Sequence, residues 1–175
     1  MSMISYAQNR EDVLLNRVFP APAGFYLDVG AADPVEYSVT KWFYDRGWSG
    51  VNVEPQPAYF EALRADRPRD TNLNVGLSDT PGTVTLYEAP DKPGWSTMEP
   101  AVADEFRARG IELVERRVAV LTLAEVCERY ARGPIDFLKI DVEGHERHVL
   151  RGADFARWRP RVVLVEATEV GRAVL

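Results

Sequence analysis

Cysteine is nearly absent from this 175-residue sequence, in which Cys127 is the single thiol. One cysteine cannot form an internal disulfide, and it makes a zinc site built on cysteine ligands implausible. We therefore expect the chain to work in a reducing compartment, the cytoplasm. Cys127 lies on the apolar face of a predicted helix with no activating group near it in sequence, so we interpret it as a core residue.

Long apolar runs, glycosylation sequons, internal repeats and low-complexity tracts are also absent from the sequence. No run approaches the roughly 20 apolar residues that span a bilayer, and the polar residues 1–12 predict neither a signal peptide nor a membrane anchor. Basic residues are outnumbered by acidic ones, 21 to 27, which gives a net charge of −6. This balance argues against nucleic acid as a partner.

The apolar residues that are present form strand patterns alternating with helix patterns. Strands are predicted at 25–29, 50–54, 71–77, 83–87, 117–121, 135–141 and 162–166. Helices are predicted at 11–19, 39–45, 58–66, 101–109, 122–130 and 145–151. This alternation predicts an α/β fold with a doubly wound, mostly parallel sheet and right-handed crossovers.

Three local features add detail to this prediction. Ser38 is a plausible N-cap for the second helix, and Thr122 with Glu125 fits a capping box for the fifth. The turn residues 78–82 predict a hairpin that pairs the strand before them with the strand after them.

Four of the predicted parallel strands end on an acidic residue: Asp28, Glu54, Asp141 and Glu166. The carboxyl ends of parallel strands face one side of a sheet, where ligands bind in open α/β folds, so these acids are expected at one crevice. Buried carboxylates cost free energy unless another group compensates them. A ligand with hydroxyl groups and a fixed positive charge would do so.

The turn after the first strand favours one of two adenosine-containing ligands. Glu54 follows Gly30 by 24 residues, where a carboxylate accepts ribose hydroxyls in dinucleotide-binding folds, and this fits NAD and S-adenosylmethionine equally. Gly30 is followed by Ala31, Ala32 and Asp33, so the Gly-x-Gly-x-x-Gly cradle for a pyrophosphate is missing. An acid in this turn would repel a pyrophosphate but suits an ammonium and a sulfonium. We therefore favour S-adenosylmethionine.

Four segments together resemble one known family, the FkbM family of S-adenosylmethionine-dependent methyltransferases. They are residues 5–12 (SYAQNRED), 24–34 (GFYLDVGAADP), 47–55 (GWSGVNVEP) and 137–146 (FLKIDVEGHE). The resemblance implies a class I methyltransferase fold that transfers a methyl group to a hydroxyl, commonly on a sugar, glycan or polyketide-type molecule.

The resemblance also implies which residues bind the cofactor. We assign Asp28, Gly30, Ala31, Glu54, Pro55, Asn74 and Asp141 to it. By the resemblance, Asp28 and Gly30 fall at the cofactor's amino-acid end and Glu54 at its ribose. Asn74 falls near the adenine and Asp141 at the reacting end.

A hydroxyl acceptor also requires a base, and Asp141, Glu143 and His145 are the candidates close in sequence. His145 is the one among them that titrates near neutral pH, and a solvent-facing residue at a helix start is the alternative for it. His145 and His148 beside the two acids could suggest a divalent metal. Carboxylates that cap the following helix explain the acids more simply, so we assign no metal ligand.

Two further segments are expected to border the ligands. Trp95 lies with Ser96 and Thr97 in the loop 91–97, where its ring could stack on a sugar or could anchor the loop. The opening motif, with Tyr6, Gln8, Glu11 and Asp12, could close over the cofactor or could cap the first helix.

We expect residues 1–175 to form one methyltransferase domain that lacks the usual C-terminal antiparallel strand pair. It would then be truncated or the N-terminal part of a longer chain, and its partners would be a small-molecule or glycan acceptor and either a missing C-terminal region or a second copy. Two other classes stay open on the sequence alone. They are a nucleotide-binding oxidoreductase of the NAD type and a non-catalytic docking module with the same fold.

Overall fold

The computed structural model describes residues 3–92 and 94–166. The helices in this part of the chain are α1 (Glu11–Val18), α2 (Lys41–Asp45), α3 (Pro57–Asp66), α4 (Pro100–Ala108), α5 (Leu123–Tyr130) and α6 (Glu146–Arg151). The strands are β1 (Phe25–Val29), β2 (Ser49–Val53), β3 (Thr71–Leu73), β4 (Gly76–Leu77), β5 (Gly82–Glu88), β6 (Val114–Leu121), β7 (Phe137–Ile140) and β8 (Val162–Val165).

The main sheet has five strands in the order β3-β2-β1-β7-β8, and every neighbouring pair is parallel. The predicted α/β fold with a mostly parallel sheet is therefore confirmed. β8 is the outer strand, and within the described residues no antiparallel pair extends the sheet beyond it. None of the described helices combines the length and apolar character that crossing a membrane requires.

Helices cover both faces of this sheet because successive strand residues point to opposite sides. Leu27 and Val29 of β1 belong to a buried aliphatic cluster that includes Val126 of α5. Tyr26, which directly precedes Leu27, belongs to an aromatic cluster with Phe43 of α2 on the opposite face. The sheet is thus doubly wound, and Asp28 lies on the side of β1 that carries Tyr26.

The predicted strand 71–77 is wrong, because the chain leaves the main sheet halfway along it. β3 pairs with β2, whereas β4 joins a second sheet of order β4-β6-β5. Asn74 lies at the break, and its side-chain amide donates to the carbonyl oxygens of Glu54 and Pro55 at 3.0 Å each. These bonds fix a turn where the sequence pattern predicts a continuous strand.

The predicted hairpin is also wrong, since β6 lies between the two strands it was meant to join. Val120 of β6 is in register with Gly76 on one side and with Gly82 on the other. β5 is antiparallel to β6, which comes later in the chain. Turn residues such as those at 78–82 predict a change of chain direction, but they do not determine with which strand the next strand pairs.

Ser38 is not the N-cap of α2, which begins at Lys41 after Thr40. The hydroxyls of Ser38 and Thr40 bind buried charges instead. Ser38 accepts from the Arg67 guanidinium at 3.1 Å, and Thr40 donates to Asp28 at 2.8 Å. A buried charge without a hydrogen-bond partner costs more free energy than a missing helix cap, so these hydroxyls bind the charges.

The capping box of α5 is confirmed. The Glu125 amide donates to the Thr122 hydroxyl at 3.1 Å, and the Thr122 amide donates to the Glu125 carboxylate at 2.9 Å. Cys127 on this helix is buried, as predicted.

Candidate functional site

A cavity of about 800 Å³ lies at the carboxyl ends of the main-sheet strands. Its size is in the range of small-molecule and cofactor sites. Three of the four strand-end acids line it, namely Glu54, Asp141 and Glu166. The prediction of one shared crevice is therefore confirmed for these three, and Asp28 lies outside the lining.

Gly30 directly follows β1 and lies against the ends of both neighbouring strands, β2 and β7. Its φ is +74°, and a Cβ at this position would lie 1.8 Å from the carbonyl oxygen of Asp141. The amides of Gly30 and Ala31 both donate to the carbonyl oxygen of Val53, at 3.0 and 3.2 Å. Only glycine fits here, and the turn that it allows forms part of the cavity wall together with Ala31.

Glu54 presents a buried carboxylate to the cavity. It is 3% exposed, and its two oxygens accept from the amides of Ala32 and Gln56 at 2.9 and 2.8 Å. Burial raises the pKa of Glu54 to about 7, although both amide bonds and the Lys139 ammonium oppose the shift. Because a carboxylate has about four acceptor positions, this group retains capacity for ligand hydroxyls.

Asp28 is paired with a cation that the sequence interpretation missed. Its Oδ1 lies 3.4 Å from the Lys139 ammonium, which also lies 3.5 Å from Asp141 Oδ2. The same ammonium donates to the carbonyl oxygen of Gly30 at 2.6 Å. The charge compensation that was expected from a ligand thus comes in part from the chain itself.

Lys139 is 7% exposed and lies in β7, directly opposite Asp28 of β1. Burial acts to lower the pKa of Lys139, but the attraction of Asp28 and Asp141 outweighs it and the pKa is raised. A single basic residue within an otherwise apolar strand was the signal that could have identified it.

Asp141, Glu143 and Glu166 bring carboxylate oxygens within 4.8 Å of one another. Burial, followed by the charges of Glu166 and Asp141, raises the pKa of Glu143 to about 8. All three side chains belong to residues that line the cavity. They are the groups that could hold a proton, an acceptor hydroxyl or a divalent cation at this end.

His145 does not line the cavity, and the alternative that it faces solvent is wrong because it is 6% exposed. Its Nδ1 lies 2.5 Å from Glu99 Oε1, and its Nε2 lies 3.1 Å from the Ser78 hydroxyl. Burial lowers the pKa of His145. His145, His148 and Glu99 form a second group whose ligand atoms lie within 4.8 Å, so they too could hold a metal ion.

The remaining predicted site residues divide between the cavity wall and its support. Pro55, Trp95, Ser96, Gln8 and Glu11 line the cavity. The residues outside the lining are Asn74, Thr97, Tyr6 and Asp12. The Thr97 hydroxyl donates to the carbonyl oxygen of Glu143 at 2.7 Å and accepts from the Glu99 amide at 3.0 Å, which connects the loop to the acidic end of the cavity.

The fold and the site together define a Rossmann-like α/β protein. Its sheet is parallel, a glycine turn follows the first strand, and an acidic residue follows the second strand. Within this class, the chain belongs to the FkbM methyltransferase family, because the family model described as "Methyltransferase FkbM domain" matches residues 28–173. The resemblance seen in the sequence is therefore confirmed.

Two curated proteins are similar to this chain. The methyltransferase sdnD of Sordaria araneosa is 33% identical over 144 residues, which cover 66% of this chain and 56% of that protein. The 31-O-demethyl-FK506 methyltransferase FkbM of Streptomyces tacrolimicus is 28% identical over 182 residues, which cover 87% of this chain and 68% of that protein. The chain thus matches little more than half the length of sdnD. No solved structure shows a significant match.

Proposed function

We propose that this protein is an S-adenosylmethionine-dependent methyltransferase that methylates a hydroxyl group of a small molecule. The observation that supports this most strongly is the placement of Glu54 and Asp141 on one cavity, on either side of a turn that only glycine can form. Family membership supports the transfer of a methyl group.

The residues around the turn fit the proposed cofactor. Gly30 permits a turn that no other residue fits, and Gly30 and Ala31 both line the cavity with little side-chain bulk. Glu54 would accept the ribose hydroxyls, since its oxygens are oriented by two backbone amides. Asn74 would act indirectly near the adenine, by holding the backbone of Glu54 and Pro55.

When bound, S-adenosylmethionine supplies a methyl group on a positively charged sulfur. The chain's task is then to position the acceptor and exclude water, which is worth up to about 7–11 kcal/mol in well-oriented reactions. Asp141, whose side chain is 42% exposed, would orient the acceptor hydroxyl. Glu143, with its pKa raised to about 8, would take up the hydroxyl proton from its ionised form, which is the minor form at neutral pH and gains as the pH rises. His145 lies outside the cavity lining and would act indirectly, through its contact with the Glu99 carboxylate.

The acceptor class is proposed from the relatives and from the cavity wall. The name of the Streptomyces relative describes a substrate that lacks a methyl group on an oxygen, so a hydroxyl acceptor is proposed here as well. Trp95 and Phe106 both line the cavity, with ring centroids 5.0 Å apart. Such a wall suits a sugar, glycan or polyketide ring.

The proposal also covers partners and compartment. Val163 of the outer strand β8 is 41% exposed, and we propose this edge as the contact with further chain or with a second copy. The cytoplasm remains the proposed compartment, because the single cysteine can form no internal disulfide.

A ligand-induced shift of the melting temperature tests the proposed cofactor. S-adenosylhomocysteine at 100 times its dissociation constant should stabilise the native state by about 2.7 kcal/mol. For a protein of this size that corresponds to a rise of roughly 5–11 °C. A shift with NADH in its place would select the oxidoreductase, and no shift with either would select the docking module. Asp141→Asn should abolish methyl transfer, and unchanged binding and transfer would contradict its role.

A further inference from the structure

Within the described residues, Lys139 of β7 is the basic residue whose side chain contacts both the Gly30 turn and Asp141. Its ammonium lies 2.6 Å from the Gly30 carbonyl oxygen, 3.4 Å from Asp28 and 3.5 Å from Asp141. Asp28 is 1% exposed, so solvent cannot replace this partner. Asp28 lies in β1, and Gly30 and Asp141 directly follow β1 and β7, which are parallel and adjacent.

We propose that Lys139 is a positioning residue that fixes the Gly30 turn relative to the Asp141 carboxylate. The inference rests on the proposed function, because it assigns the turn to the cofactor and Asp141 to the acceptor. Under these two assignments, the Lys139 side chain sets the distance between the cofactor and the acceptor.

The Gly30 peptide shows how this positioning works. On its amide side, Gly30 and Ala31 bind the Val53 carbonyl of β2. On its carbonyl side, Gly30 binds the Lys139 ammonium of β7. The turn is therefore held from both neighbouring strands, and loss of Lys139 would release the half that faces Asp141.

The charges in this cluster also fit a positively charged ligand. Asp28 and Asp141 carry two negative charges against the one positive charge of Lys139, so one carboxylate charge is in excess. The ammonium keeps the buried acid stable without neutralising the cluster. A sulfonium or ammonium group of a ligand would balance the remaining charge.

A purely structural role must be separated from this positioning role. Lys139→Met keeps the apolar stem but leaves the Asp28 carboxylate buried and unpaired, which by itself destabilises the fold. Asp28→Asn removes that buried charge. The informative comparison is therefore between Asp28→Asn and the double variant Asp28→Asn/Lys139→Met, which share a neutral residue at position 28.

The experiment measures unfolding by urea and the affinity for S-adenosylhomocysteine by calorimetry. We expect the double variant to be more stable than Lys139→Met alone, yet to bind S-adenosylhomocysteine at least tenfold more weakly than Asp28→Asn. Lys41→Met is the matched control, because it removes an ammonium that pairs with Asp45 at 2.9 Å, outside the cavity. It should leave the affinity unchanged.

The possible failures are distinguishable. Equal affinities of Asp28→Asn and the double variant, at matched stability, would overturn the positioning role of Lys139 while leaving the proposed function intact. Failure of the unsubstituted chain to bind S-adenosylhomocysteine would overturn the proposed function, and this inference with it.

Discussion

Replacing Gly30 with alanine tests whether the turn after β1 is as tightly enclosed as its geometry indicates. The added Cβ would lie 1.8 Å from the carbonyl oxygen of Asp141 and 3.2 Å from a methyl carbon of Val142. The nearest atom belongs to the backbone, so no side-chain rotation relieves the contact. The ends of β1 and β7 would have to separate, and the cavity wall would change with them.

The expected cost has two parts. Alanine in a left-handed backbone conformation costs roughly 1–2 kcal/mol. Forcing an extra carbon into a packed site costs about 1–3 kcal/mol more. Gly30→Ala should therefore lower the free energy of unfolding by about 2–5 kcal/mol.

Gly110 supplies the matched control, because it has a similar φ of +78° and nothing lies within 4 Å of an added Cβ. Gly110→Ala should lose only the backbone part, about 1–2 kcal/mol. Urea denaturation of both variants measures the difference, and S-adenosylhomocysteine binding should weaken in Gly30→Ala alone. Equal stability losses, or undiminished binding by Gly30→Ala, would refute the enclosed turn.

Three further predictions follow from individual side chains. Burial raises the pKa of Glu54 from 4.5 to about 7. Between these pH values the native state holds a proton that the unfolded chain releases. The free energy of unfolding should therefore fall as pH rises from about 5 to about 8. Urea midpoints across that range should fall less steeply for Glu54→Gln, and identical slopes would contradict this origin. Thr97→Val should lower the free energy of unfolding by about 1–3 kcal/mol, because the Glu143 carbonyl and the Glu99 amide lose their partner. As a control, Thr80→Val at an exposed position should change it by less than about 0.5 kcal/mol. Similar urea midpoints for the two variants would show that the loop contact is weak. Cys127, 3% exposed and with its pKa raised by burial to about 11, should react with a disulfide reagent at mildly alkaline pH only after unfolding, and rapid reaction of the native protein would disprove its place in the core.

The sequence predicted the parallel sheet, and the position of three of its four strand-end acids, for a physical reason. Alternation of buried strands with helices favours parallel pairing, because each helix returns the chain to the same end of the sheet, and the ends of parallel strands meet at one edge. Glu54 and Asp141 could therefore be placed on one crevice without knowledge of the strand order. The Gly30 turn followed from the same reasoning, because it comes directly after the first strand.

The features that the sequence missed all depend on contacts between distant residues. Lys139 could not be paired with Asp28 without the register of β7 on β1. The partners of His145 are Ser78 and Glu99, each more than 40 positions away in the sequence. Such pairings follow from tertiary packing, which neither periodicity nor local turn chemistry encodes.

Glu54 gives the most direct test of the adenosyl-binding site, by calorimetric titration with S-adenosylhomocysteine. The unsubstituted chain and the control Glu61→Ala, which removes an exposed acid of α3 paired with Arg64, should bind it equally. Glu54→Ala should lose at least tenfold in affinity, because hydrogen bonds to charged groups contribute about 1.5–3 kcal/mol. Equal binding by Glu54→Ala and Glu61→Ala would contradict the account.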